Sequence, residues 1–161
     1  IASGKTTAAI VLKKMGFHYI RYSQVIAEIL RKEGKKVNRE NMQILGLDIY
    51  EQRGQYWLCN ELVKKVSSCN RIVIDGLRHP QDYTFLIEYF GPWFKHIYID
   101  SDEKTRKLRE LQKNTSAYSN SSVFTHKVEK NVSKMKSLAS LIIDNNQEKE
   151  IFERKIRDLV E

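Results

Sequence analysis

The 161 residues carry 28 lysines and arginines against 20 aspartates and glutamates, a formal net charge of +8, with 41% hydrophobic and 30% charged residues. That is the size and balance of a single globular domain that buries a core without disulfides or structural metal, and no apolar run is long enough to cross a bilayer. Cys59 and Cys69 have neither metal-ligand nor disulfide spacing, which points to a reducing cytoplasm, and lysine pairs without regular aromatic interleaving argue against a nucleic-acid partner and for the phosphates of a small nucleotide.

Ile1 to Thr7 reads I-A-S-G-K-T-T, and Gly4, Lys5 and Thr6 fill the last three places of the phosphate-loop pattern G-x-x-x-x-G-K-S/T. In that pattern backbone N–H groups wrap phosphates, the lysine reaches the β/γ oxygens and the hydroxyl ligates Mg²⁺. Thr7 to Met15 reads as the helix whose positive N-terminal end faces those phosphates. The first glycine of the pattern, and the strand from which such a loop grows, are expected upstream of Ile1.

Phe17 to Tyr22 is short, aromatic and β-branched, a strand, and Ser23 is expected to cap the helix Gln24 to Lys32, with Val25, Ile26, Ile29 and Leu30 inward and Gly34 as its stop. Further helices are expected from about Asn38 to Gln52 and, after Gly54, from Gln55 to Ser67. Three helices between two strands exceed a minimal crossover, so residues 24–68 are expected to form an inserted substrate-binding region. Arg71 to Asp75 is a continuous apolar run ending in a carboxylate, the pattern of a buried parallel strand. Gly76 to Pro80 turns into a helix with Tyr83, Leu86, Ile87 and Phe90 inward. A strand His96–Asp100, a helix capped by Asp102 and carrying Arg106 and Arg109, a strand Leu141–Asp144 and an amphipathic helix Gln147–Val160 complete the chain. The polar stretch Lys113 to Ser122 reads as a mobile loop, and 103–135 as a lid region. The alternation predicts an α/β fold, a parallel sheet covered by helices on both faces.

Phosphoryl transfer asks a protein for positioning and positive charge, and the chain has a candidate for each part. Ser3, Gly4, Lys5, Thr6 and Thr7 would hold the donor phosphates of ATP. Thr6 and Asp75 would hold Mg²⁺. Arg78, three residues beyond Asp75, would grip an acceptor phosphate with two hydrogen bonds, and Arg39 and Arg53 are further acceptor contacts.

Gly4-Lys5-Thr6-Thr7, Ser23 opening a helix, Asn38-Arg39, and above all Ile74-Asp75-Gly76-Leu77-Arg78-His79-Pro80 resemble the nucleoside monophosphate kinase group of P-loop proteins. The branch it is most similar to holds deoxynucleoside monophosphate kinases, dephospho-CoA kinases and adenylate-kinase-like archaeal proteins. The resemblance implies transfer of the γ-phosphoryl of ATP, with Mg²⁺, to a phosphorylated acceptor. Lys5, Asp75 and Arg78 would be catalytic, Ser23, Arg39, Arg53 and Arg78 would bind the substrate, and Arg106 and Arg109 would edge the lid. One departure stands out: from Glu110 to Glu153 there is no arginine, only lysines, which lose two-pronged contact. That favours a second reading, a regulatory nucleotide-binding module of a larger protein, similar to the kinase-like half of phage-defence deaminases. A fused domain or a homo-oligomer fits either.

Overall fold

The computed structural model describes residues 2–112, 131 and 134–160. Its elements, in order, are α1 (Lys5–Lys14), β1 (His18–Arg21), α2 (Tyr22–Lys32), α3 (Arg39–Gln52), α4 (Gln55–Lys64), β2 (Ile72–Asp75), α5 (Pro80–Phe90), a 3-10 turn (Gly91–Trp93), β3 (Ile97–Asp100), α6 (Glu103–Gln112), β4 (Leu141–Asp144) and α7 (Lys149–Arg157). The expected mobile loop and most of the expected lid region after Gln112 lie outside the described residues.

Among the described residues all strand pairing is parallel, as the alternation of strands and helices leads one to expect. The strands form two pairs. β1 lies on β2 with His18 opposite Ile72 and Arg21 opposite Asp75, and β3 lies on β4 with Ile97 opposite Leu141 and Asp100 opposite Asp144. No described strand joins β2 to the β3–β4 pair, so the expected single sheet is divided. The pairs nevertheless share a layer. Val73 of β2 packs with Ile99 of β3 and Ile143 of β4 against Ala8, Val11 and Leu12 of α1 and Phe152 and Ile156 of α7. Ile72 and Ile74, pointing the other way by strand alternation, join Ile20, Val25, Leu58, Leu62 and Leu86 from β1, α2, α4 and α5. Both faces of β2 are thus covered by helices, which explains its uninterrupted apolar run.

Local chemistry sets several boundaries where the sequence places them. Asn38 Oδ1 accepts from Asn41 N at 2.7 Å and caps α3, and Asp102 Oδ1 accepts from Thr105 N at 2.6 Å at the start of α6. Ser23 is different: α2 already begins at Tyr22, so Ser23 sits inside its first turn and caps nothing. Gln24 Oε1 instead accepts from Arg21 N at 3.0 Å, while the Tyr22 ring is buried and draws the helix start forward. Ile87, expected inward on α5, is exposed, and α4 stops at Lys64 in a run of turns.

Candidate active site

The phosphate loop is built on backbone that ordinary residues resist. Gly4 has φ of 102° immediately before α1, and Ala2 has φ of 58°. A left-handed Gly4 lets the N–H groups of the first helical turn open toward one point, which no side chain caps. Asn145, just after β4, donates from Nδ2 to Ser3 O at 2.8 Å and pins the loop to the far strand pair.

Around this cup the chain gathers charge. Lys5 Nζ donates to Ser3 Oγ at 3.0 Å. Lys5 is exposed to solvent, yet its ammonium is crowded by neighbouring protein. That desolvation, followed by the positive fields of Arg78 and Arg106, lowers its pKa, and only Asp75 opposes. Lys5, Arg78 and Arg106 therefore converge from α1, the β2–α5 loop and α6 on a space with one facing carboxylate. Arg106 Nε is buried without a hydrogen-bond partner among the described residues.

The carboxylate sits where the strand register sends it. Asp75 ends β2, and its Oδ2 accepts from Thr6 Oγ1 and from Tyr19 OH, each at 3.1 Å. Burial and the neighbouring Asp75 raise the Tyr19 pKa, so the phenol keeps its proton and remains a donor. Thr6 and Asp75 bring two hard oxygen donors together beside the phosphate cup. No cluster of three or more His, Cys, Asp and Glu suited to a metal occurs among the described residues. That donor set fits Mg²⁺, which keeps several waters and shares its shell with phosphate oxygens.

The other expected residues are placed unevenly. Thr7 lies in the first turn of α1 behind Thr6, and Ser23 is half-buried in α2. Arg39 opens α3 on the exposed surface, and Arg53 lies over the Trp57 ring at 4.6 Å. Arg109 is engaged elsewhere. Its guanidinium donates to Asn145 O at 2.9 Å and, at 3.4 Å, to Ser101 Oγ, Asn145 Oδ1 and Gln147 O, so it braces the turn whose Asn145 holds the phosphate loop.

Tyr19, Asn145 and Asp82 escaped the sequence reading. Tyr19 looks like one more strand aromatic until pairing with β2 brings its hydroxyl to Asp75. Asp82 could have been found: an acidic residue two positions after the helix-opening Pro80 is a capping-box signal. His79, beside Arg78, stacks on Tyr50 of α3 with ring centroids 5.5 Å apart, and burial followed by the Arg78 charge lowers its pKa against the pull of Asp82.

The sequence is similar to those of several known proteins. The chain is 29% identical over 115 residues to a UPF0200 protein of Methanothermobacter thermautotrophicus, covering 69% of this chain and 57% of that one. It is 28% identical over 107 residues to a UPF0200 protein of Pyrobaculum aerophilum, with coverages of 66% and 58%. The chain thus spans less than two thirds of the length of either archaeal relative. A dephospho-CoA kinase of Streptococcus agalactiae is 24% identical over 187 aligned positions, with 100% of this chain and 94% of that one covered. The AAA domain family matches residues 2–127, most of the chain, including Ser3 to Thr7, Asp75, Arg78 and Arg106 but not Asn145, and the chain belongs to that family as a P-loop domain of the kinase type.

Proposed function

We propose that this chain transfers the γ-phosphoryl of ATP, with Mg²⁺, to a nucleoside monophosphate or a related phosphorylated small molecule in the cytoplasm. The observation that carries the reading is the convergence of Lys5, Arg78 and Arg106 on one space beside the Thr6–Asp75 pair.

In this reading the amides from Ser3 to Thr7 hold the donor phosphates, and Lys5 follows the charge that builds on the β/γ oxygens. Thr6 and Asp75 would hold the Mg²⁺, which when bound neutralises phosphate charge and fixes the donor's orientation. Tyr19 keeps the Asp75 carboxylate turned toward Thr6. Arg78 grips the acceptor phosphate, whose oxygen forms a bond to the γ-phosphorus as the bond to the β-bridging oxygen breaks and ADP leaves. Arg106 faces the transferred group from α6. An acceptor phosphate is already ionised, so for it the step needs positioning and positive charge more than a base, whereas the ribose hydroxyl of dephospho-CoA would give up its proton to Asp75. Ser23, Arg39 and Arg53 belong to the acceptor side, residues 24–68, and 103–135 to the lid.

A second reading, a nucleotide-binding regulatory module, draws support from Arg109, whose donors are directed to the β4–α7 turn. One panel separates the two. With Mg-ATP and a series of nucleoside monophosphates and dephospho-CoA, ADP formation stoichiometric with one acceptor, abolished by Lys5→Ala, is the expected result. Mg-ATP binding without acceptor-dependent turnover would favour the module, and no nucleotide binding at all would reject both.

A further inference from the structure

Asp82 takes no part in the donor-phosphate site, yet it is 1% exposed and its carboxylate accepts four hydrogen bonds from two parts of the chain, the loop before α5 and α4. Oδ2 accepts from the backbone N–H groups of Arg78 and His79, each at 3.1 Å. Oδ1 accepts from the Gln55 amide and from the Cys59 thiol at 3.5 Å. Gln55 opens α4 and Cys59 follows one turn later, so the two oxygens face different elements. Burial pushes the Cys59 thiol up to about 12, leaving it protonated and able to donate, and its sulfur lies 3.5 Å from the Tyr22 hydroxyl on α2.

A residue that merely caps a helix needs one backbone N–H and a solvated remainder. Asp82 has two such bonds and no solvated remainder. All four donors are neutral, and a buried carboxylate held by neutral donors is costly unless each bond is kept. Both captured amides belong to the loop that carries Arg78. Among the described residues the loop's other hydrogen bond to α5 is Asp82 N to His79 O, so the carboxylate is what joins the loop to α4.

We propose that Asp82 is a positioning residue that sets the Arg78 loop against the start of α4, so that the acceptor-side helices and the phosphate-gripping guanidinium move as one piece. The assignment rests on the phosphoryl-transfer reading for its purpose, but its geometry is testable without turnover. Asp82→Ala removes both acceptors. Asp82→Asn keeps one oxygen for the two loop amides, and the Gln55 amide can turn to meet the new NH₂ group.

Residue-resolved amide hydrogen exchange on the whole chain decides it. In the unaltered protein the Arg78 and His79 amides are expected to exchange at least about tenfold more slowly than that of Leu77, the scale of one net hydrogen bond, a comparison that needs no variant. Asp82→Ala is expected to erase this difference, leaving the amides of Leu86 and Ile87 and the Mg-ATP dissociation constant within about twofold, and Asp82→Asn is expected to restore most of it. Equal exchange of Leu77, Arg78 and His79 in the unaltered protein would overturn the proposal. So would a uniform loosening of α4 and α5 in Asp82→Ala that Asp82→Asn does not correct, since that is plain loss of stability. Failure of the unaltered chain to bind Mg-ATP would instead reject the phosphoryl-transfer reading and leave the exchange result standing.

Discussion

Lys5 is held among like charges, and that sets a sign for its effect on stability. Crowding, Arg78 and Arg106 lower its pKa below the ordinary 10.5, outweighing Asp75. Above pH 10.5 the folded and unfolded chains both carry a neutral amine and the shift costs nothing. As the pH falls below that value the unfolded chain takes the proton first, so folding is penalised, and the penalty is complete once the folded chain is protonated too. The free protein therefore carries this penalty at neutral pH, and bound phosphates would relieve it. Lys5→Met, which keeps the stem and removes the charge, is expected to melt at the same temperature as the unaltered chain or higher without nucleotide. With Mg-ATP only the unaltered chain should gain. A clear fall in the nucleotide-free melting temperature of Lys5→Met would show that Lys5 supports the fold instead.

The phosphate loop is the element whose geometry is least forgiving. Gly4 combines φ of 102° with a neighbour in the way, because a Cβ there would collide with Asn145 Nδ2, the group that holds Ser3 O. Gly4→Ala is thus expected to lose ~1–3 kcal/mol from backbone strain together with the Asn145 anchor. Urea unfolding measures the first and Mg-ATP titration the second. Much of this element was legible in the sequence, since Gly-Lys-Thr before a helix states its own local geometry. Asp75-Gly-x-Arg78 was equally readable, because a strand end and the following turn lie within a few residues. The same holds for the Asp102 cap. Tyr19 and Asn145 were not, because their partners lie 56 and 142 positions away, and of Asp82 only the local cap could be read, since its Gln55 partner lies 27 positions away. Such contacts exist only after strand pairing and helix packing. Ser23 misled for the converse reason: a good capping residue gave way to burial of Tyr22, which packing decides.

At the scale of the molecule, two parallel strand pairs are gathered on α1, with α2, α4 and α5 on the opposite face. The charge of +8 is spread rather than focused, with Lys35, Lys64 and Lys65 paired to Glu33, Glu61 and Glu28 on the surface, where such pairs add little stability. No described helix is long and apolar enough to cross a membrane. The thiol of Cys59 lies at the junction of three helices, fully enclosed and protonated, whereas Cys69 is only half covered. An alkylating reagent meets these two sulfurs on different terms. Iodoacetamide should label Cys69 promptly and Cys59 only when α2, α4 and α5 part, so the slower reaction, followed by mass spectrometry, becomes a clock for the breathing of the acceptor half.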